Sequence, residues 1–527
     1  MKLANVNTTD LLDAIRLGCR TMCSVFDADD NGVPFFASTV WPEARLSFHR
    51  RHSESHVPGR HLNALLNAED ATAAYAGRIH VDEACIEQHA RAAFMSYSGP
   101  IPLPLNRDVI GGPLVHFLPH NVREGFHALA ALAQFRGSEQ AFDLARASID
   151  AIFRTWDPAA GWNLEILDGE LGLEVDRSTF IVGLARAIGP LVKLYRATGY
   201  GPALELALVL SQKATDEFFL PDGGYDRELF GTHTHSTTCV MSSLAQLADL
   251  TRDAGLMARA RAFYDRGLWQ MRDELGWVIE NSGDQANPDL GEVNNTGDIV
   301  ETALILGRWG YAESYEDAER ILRGHLLPSQ LRDVSFIQEP PNPAGEDGKR
   351  DVANRHLGAF GFPAPYGHHP LNAPAISFNM DIVGGAVGSL CAAYRDVVRS
   401  DETGHWVNLL FDHETPQVTV ESPYTHPSLR VRVTGRRPRP LLVRLPSWVD
   451  RGRLSVHGAA AGPRVVNGYL FFAEPPLNRW LTIDFPLPER EIVLHHRTRD
   501  IGVRLRGDAV VAMDDCGADL TFFDPLA

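Results

Sequence analysis

Gly291-Glu292-Val293-Asn294-Asn295-Thr296-Gly297-Asp298-Ile299-Val300-Glu301 runs without a break into Thr302-Ala303-Leu304-Ile305-Leu306. A polar segment that turns straight into an apolar helix marks the mouth of a helix hairpin. Asn295 or Thr296 is placed to cap this helix, with Glu292, Asn294 and Asn295 just before its N-terminus and Asp298 and Glu301 in its first turn. Free backbone N–H groups and the positive end of the helix dipole favour hydroxyl-rich or anionic ligands at such a mouth, and Glu292 is free to meet them. For Asp298 and Glu301, simple complementation of the dipole is an equal reading.

Outward from this helix the pattern repeats. Leucine- and alanine-rich helices, broken by a glycine and followed by a loop rich in glycine and aromatics, recur over Phe126 to Trp162, Leu191 to Tyr225, Leu244 to Trp277 and Ala303 to Leu331. The breaks fall at Gly137, Gly199, Gly255 and Gly310, spaced by 62, 56 and 55 residues. Hairpins of that period bury their apolar faces on their neighbours, as an open solenoid or a closed ring. The loops favour the ring. Those at the glycines are short, whereas those between hairpins are long and carry Trp162, Glu165, Asp176 and Arg177, then Tyr225, Asp226, His233 and His235. Glu280, Asp284, Glu292, Asn294 and Asn295 follow in the third, and Glu339, His356, Tyr366, His368, His369 and Asn379 in the fourth. A ring converges all four on one pocket, and loops of this length are usually functional.

Three regions follow: a helix and extended segment over 1–57 that packs on the barrel, an (α/α)6 barrel over 58–400, and an antiparallel β-sandwich over 401–527. The last rests on short runs such as Leu429-Arg-Val-Arg-Val and Leu481-Thr-Ile-Asp-Phe, separated by Gly, Pro and Asn467-Gly468 turns. The fold class is thus a multidomain α+β chain, and 527 residues suffice for it. A net charge of −18 argues against nucleic acid and anionic membranes as partners and leaves a neutral substrate easier to accommodate. No apolar run reaches membrane-spanning length and Met1 to Arg20 lacks a signal pattern, so a cytoplasmic protein is expected.

Metal signals are weak. Asp27, Asp29, Asn31 and Gly32 match half of an EF-hand loop, but Ser38 stands where a bidentate Glu is needed for calcium. His49, His52, His56 and His61 are dense without zinc-like spacing, and suit hydroxyl or carbonyl partners better. The six cysteines are scattered, with no CxxC pair, which speaks against a disulfide framework; Cys19 and Cys23 read as core. No cofactor is expected, zinc and calcium being the alternatives these patterns raise.

Leu441-Leu-Val-Arg-Leu-Pro-Ser-Trp448, Leu454-Ser-Val-His-Gly, Asn467-Gly-Tyr469 and Trp480-Leu-Thr-Ile-Asp-Phe-Pro-Leu-Pro, coming after a helical toroid, resemble the β-L-arabinofuranosidases of glycoside hydrolase family 127. The resemblance implies an (α/α)6 barrel with a sandwich, a glycoside or oligosaccharide substrate, and a homodimer as one expected assembly. It also implies a zinc held by a Glu-x-Cys and a tandem Cys-Cys, one cysteine being the nucleophile. Here Glu292-Val293-Asn294 keeps only the glutamate, and Ser377-Phe378-Asn379 stands before the later inner helix, so that chemistry does not transfer.

A glycoside hydrolase needs a carboxylic acid and a second carboxylate. Glu292 is the candidate acid. Asp226 and Glu165, beside Tyr225 and Trp162, lead as its partner, ahead of Glu339 and Asp381. His235, Tyr225, Asn294, Asn295, Trp162, His56, Glu339, Tyr366 and His368 are candidate substrate-binding groups. A lyase is the alternative, with His235 or Tyr225 as base and Asn294, Asn295 or Arg177 neutralising a uronate. A non-catalytic carbohydrate-binding protein is the third reading.

Overall fold

The computed structural model describes residues 1–74, 77–284 and 286–526. Twelve helices carry the architecture: α1 Leu11–Met22, α2 Val57–Thr72, α3 Glu83–Ser96, α4 Val122–Arg136, α5 Glu139–Thr155, α6 Ile188–Thr198, α7 Gly201–Glu217, α8 Thr234–Thr251, α9 Ala254–Asp265, α10 Val293–Arg308, α11 Ala312–Ile321 and α12 Met380–Val397. Helices α2, α4, α6, α8, α10 and α12 pack each on the next, and α12 returns to α2, which closes an inner ring. The outer helices α3, α5, α7, α9 and α11 each lie on their inner partner, and α1 covers α12. The N-terminal helix, expected to pack on the barrel, lies in its outer layer as the twelfth helix.

Local chemistry explains the hairpins. Gly137, Gly199 and Gly310 adopt positive φ at the turns, where a side chain is disfavoured. Gly255 does not. It sits inside the first turn of α9, and Arg252 takes the left-handed position while Asp253 caps the new helix through Leu256 N–H. The ring also needs close approach. A Cβ at Gly385 on α12 would lie 1.9 Å from Asn294 Oδ1 and 2.6 Å from Arg60 Nη1.

After Val397 the chain becomes β-structure. Ten strands, β1 Val398–Ser400, β2 His405–Val407, β3 His413–Glu414, β4 Val418–Glu421, β5 Leu429–Val433, β6 Leu441–Arg444, β7 Ser455–His457, β8 Arg464–Val466, β9 Tyr469–Phe472 and β10 Trp480–Asp484, form two sheets in the orders β1-β2-β6-β9-β8 and β3-β4-β5-β10-β7. Inward residues of both, such as Val431, Val443, Leu470 and Ile483, share one core. The pairing is antiparallel apart from β2 with β6. Arg444 on β6 pairs with buried Glu319 of α11, which anchors the sandwich to the ring.

Residues 489–526 do not join the sandwich. They build a separate four-stranded sheet over Glu489–Leu494, Ile501–Arg506, Ala509–Met513 and Asp524–Pro525, whose apolar face packs with Leu275, Ala364 and Tyr366. From it Arg497 donates to the Ser282 carbonyl at 3.3 Å and Thr498 to Asp289 at 3.3 Å, so this sheet holds the third long loop. No helix among the described residues is long and apolar enough to cross a membrane.

One expectation about sulfur is corrected. Cys23, at the end of α1, and Cys85, in the first turn of α3, form a disulfide across 62 residues with their Cα atoms 5.5 Å apart. Sequence spacing gave no hint, because the pair is made by two outer helices meeting after the ring has closed. Loops of this length make a disulfide worth about 2–4 kcal/mol. Denaturant unfolding of Cys85→Ser, or of the reduced native chain, is expected to show a loss of about that size. Identical curves with and without reductant would reject the pairing.

Candidate active site

The floor of the bowl is built from the N-terminal turns of the inner helices. Helix α10 starts three or four residues earlier than expected: Glu292 is its N-cap residue, and Asn294 and Asn295 lie inside the first turn, buried. Asn294 Nδ2 donates to Glu292 Oε1 at 2.6 Å, and Asn295 Oδ1 lies 2.9 Å from Thr238 Oγ1. Neighbouring α8 begins at His233, its N-cap residue, followed by His235. Backbone pairing of His233 with Asn281 and the Thr234 N–H bond to the Glu280 carbonyl lock the third loop to the start of α8.

These locks bring four groups together. His235 Nδ1 lies 3.4 Å from Glu292 Oε1, and His233 Nε2 lies 3.7 Å from Glu292 Oε2 and 3.9 Å from Glu280 Oε1. Exposure grades them: Glu292 at 6% and His235 at 2% form the floor, while His233 at 28% and Glu280 at 24% face the bowl. Burial raises the Glu292 carboxyl to about 8, helped by Glu280 and Asp381. Burial also raises Glu280 to about 7, with Asp284 adding to it. His233 is pushed down to about 3, by burial first and then by Arg186 and His56, so its ring is neutral.

Below and beside them lies a buried charge cluster. Glu124 Oε1 on α4 meets Arg186 at 2.9 Å, Arg123 at 3.1 Å and Arg60 at 3.2 Å. Burial opposes its charge, but Arg186, His56, Arg60 and Arg123 overcome that and hold the carboxyl well below the usual range. Asp381, in the first turn of α12, sits 3.2 Å from His56 Nε2 and 3.5 Å from Arg60 Nε. His235 Nε2 lies 3.4 Å from Asp298 Oδ2, whose carboxyl burial raises to about 7. Under this layer a cavity of about 30 Å³ is lined by Arg60, Arg123, Lys193, Cys239 and Glu301. That volume suits roughly one water.

The rim is aromatic and imidazole-rich. His49 stacks on His52 with ring centroids 4.9 Å apart, His52 meets the buried His56 edge-on at 5.1 Å, and His120 stacks on His56 at 5.4 Å. Buried Asn121 organises them, accepting from or donating to His56, Arg51 and Ser55. Arg51 pairs with Asp176 at 2.9 Å, and Tyr225 OH lies 3.1 Å from Ser282 Oγ. His61 is not at the rim; it points into the ring, against the Met380 carbonyl and His89.

Of the residues singled out from sequence, Glu292, His235, Asn294, Asn295 and His56 meet at the floor, and Tyr225 stands above. Others are placed elsewhere. Asp226 is exposed and accepts from Glu228 and Leu229 N–H as the cap of a short turn. Glu165 is exposed at the start of a wide helical turn. Trp162 packs edge-on to Phe117 and lines a side pocket of about 420 Å³ with Trp156, Arg177 and Phe180. Glu339 accepts from Val352 and Ala353 N–H. Tyr366 donates to Asp289 within the core under the last sheet, and His368 is buried between Phe378 and Phe522. In the other direction, His233 and Glu280 were visible as loop residues, whereas Glu124, Arg60, Arg123 and Arg186, gathered at or just before the starts of inner helices, were missed. Asp27 and Asp29 of the EF-hand-like turn are spent on turn and loop N–H groups.

No family profile matches the sequence, and no curated protein does. Among solved structures, a β-arabinofuranosidase of glycoside hydrolase family 127 aligns over 96% of this chain and 83% of its own, at TM-score 0.57 and 14% identity. A family 127 β-L-arabinofuranosidase from Geobacillus stearothermophilus T6 aligns over 95% and 80%, at 0.55 and 14%. A sugar epimerase from a ruminal bacterium aligns over 73% and 99%, at 0.50 and 12%. The chain has the fold of these proteins, a helical toroid with, in the first two, matching β-structure. The thiolate-held zinc of the resembled family does not fit here. Asn294 occupies the cysteine position of Glu-x-Cys, and Cys239 lies below the floor with its thiol raised by burial.

The placement of His368 carries a pH signature. Burial alone pushes its ring down to about 3, so the folded protein keeps it neutral while the unfolded chain protonates it near pH 6.5. Stability present above pH 6.5 is then lost as pH falls toward 3, about 2 kcal/mol from this ring between pH 7 and 5. His368→Phe is expected to shrink the difference in unfolding free energy between those pH values by about that amount. An unchanged difference would mean the ring titrates freely in the native state.

Proposed function

We propose that this protein is a glycoside hydrolase acting on the end of a small, neutral or weakly charged glycan. The observation that carries this is the carboxyl pair Glu280 and Glu292 flanking one imidazole nitrogen, at 3.9 and 3.7 Å, at the floor of a bowl closed from below. Two groups each that close to the same atom stay within the about 9.5 Å that spans glycosidase carboxyl pairs. Glu280 is the proton donor. It faces the bowl, and burial keeps a proton on it near neutral pH, ready for the departing oxygen. Glu292, deeper, is the second carboxyl; burial holds its proton more firmly than that of Glu280, so it acts as a carboxylate only where positive charge meets it. Half-exposed His52, His120 and Tyr225, with the Arg51–Asp176 pair, supply hydroxyl partners around the ring. The likeness to the two β-arabinofuranosidases supports a furanoside as the first substrate to try.

One observation favours a second reaction on the same surface. His52, His120 and His233 face the bowl with rings held neutral, chiefly by burial, as bases for carbon-bound protons must be. A lyase acting on a uronate would leave a conjugated product that absorbs in the ultraviolet, and a hydrolase would not.

The donor assignment is tested on a panel of furanosides and pyranosides with paired aglycones. Glu280→Gln is expected to lower kcat/KM on an alkyl or sugar aglycone by about 10²–10⁴-fold. The loss on a p-nitrophenyl glycoside should be far smaller, since that leaving group departs without a proton. Asp226→Asn and Glu165→Gln should stay near wild type on both. Equal losses on the two aglycones, or none, reject Glu280 as the acid.

A further inference from the structure

Glu292 is a buried carboxyl whose ion-pair partners among the described residues are two imidazoles, His233 and His235. Nitrogen lone pairs and carboxylate oxygens repel unless something positive stands between them. Protons can serve, and so can a metal ion. The three side chains converge closely enough for the latter: one donor atom from each lies within 4.8 Å of the other two.

We propose that His233, His235 and Glu292 form a site for one divalent transition-metal ion of the zinc class, with His233 Nε2, His235 Nδ1 and Glu292 oxygen as donors. Bonds of 2.0–2.1 Å in a tetrahedron set donor atoms about 3.3 Å apart. The 3.4 Å from His235 Nδ1 to Glu292 Oε1 already meets that value, and 3.7 Å from His233 Nε2 to Glu292 Oε2 exceeds it by a few tenths. The groups behind the donors are those a metal site requires. His233 Nδ1 lies 2.8 Å from Ser236 Oγ, which turns Nε2 inward, and His235 Nε2 lies 3.4 Å from both the Asp298 carboxylate and Arg60 Nη2, which turns Nδ1 toward Glu292. A carboxylate or hydroxyl on the far nitrogen fixes ring orientation and tautomer at metal-bound histidines.

Local charge agrees. Arg60, Arg123 and Arg186 are gathered on Glu124, which leaves Glu280 and Glu292 with no guanidinium in ion-pair contact among the described residues. A dication would neutralise this surplus. His233 is the partly exposed donor and Glu280 beside it is partly exposed too, so the vacant side of such a site opens onto the bowl, as a non-structural metal centre requires. The donor set shares one residue with the thiolate site of the resembled family and takes its nitrogens from another helix, α8. It does not depend on the hydrolase reading. With an ion in place, Glu292 serves as ligand and Glu280 remains the proton donor.

The test uses the full chain, freed of metal by dialysis against a chelator and titrated with Co²⁺. The expected result is one equivalent bound, with visible d–d absorption typical of four- or five-coordination, displaced by one equivalent of Zn²⁺. His233→Ala and Glu292→Gln should each weaken binding more than about 100-fold, beyond the loss typical of a supporting group. Asp226→Asn, exposed and away from the triad, should bind as wild type. Should His233→Ala fail to fold by circular dichroism, the near-isosteric Glu292→Gln decides. Absence of stoichiometric uptake, uptake unchanged in the folded ligand variants, or equal loss in Asp226→Asn overturns the site. Uptake without turnover of any glycoside counts against the hydrolase reading alone. Turnover by protein that takes up no Co²⁺ counts against the metal alone.

Discussion

One carboxylate, Glu124, is wholly buried among Arg186, Arg123 and Arg60, and the rest of the bowl is arranged around that imbalance. Three cations on one anion are unstable away from water unless further anions approach. Asp381 does so from α12, contacting Arg60, and Asp298 stands 3.9 Å from Arg123 on α10. The cluster thereby spans α2, α4, α10, α12 and the turn before α6, half of the inner ring and more. It ties together the helix ends that would otherwise be held only by apolar packing further down.

The same cations set the chemistry above them. Positive charge adds to burial in keeping His120, His233 and His235 neutral, so the bowl presents nitrogen lone pairs. Glu280 and Glu292 lie beyond direct reach of the guanidiniums. Burial dominates there, with Asp284 adding to it at Glu280 and Glu280 and Asp381 at Glu292, and both carboxyls rise. Acid groups that hold protons and imidazoles that lack them therefore sit a few ångströms apart because they occupy opposite sides of one buried charge gradient. Environments that push neighbouring titratable groups apart are what acid–base sites use.

Much of this architecture was legible as a pattern. Four hairpins with Gly137, Gly199 and Gly310 at their turns, and long polar loops on one side, foretold the toroid. The two ends of the ring were not legible. Helix α1 belongs with α12 although some 360 residues separate them, and no local period reveals such a pairing. Gly255 misled because Arg252 accepted a left-handed conformation that glycine usually takes. The last sheet was merged with the sandwich because its alternation is the same; only its apolar partners, Leu275 and Tyr366, set it apart.

Within the site the limit was of a different kind. Glu292, Asp226, Glu165 and Glu339 look alike in sequence, each an acid at the start of a helix or turn beside an aromatic or polar loop. What separates them is solvent. Asp226 and Glu339 are exposed and accept backbone N–H groups, a use that any acid at a turn can fill. Glu292 begins a helix too, yet makes no side-chain cap bond and turns inward to Asn294, His233 and His235. It can do so because Gly385, on the next inner helix, leaves room for Asn294 and Arg60 to pack where a methyl group would collide with both. The orientation of the key acid thus depends on an absent side chain about ninety positions away. A reading confined to the neighbourhood of Glu292 has no access to that information.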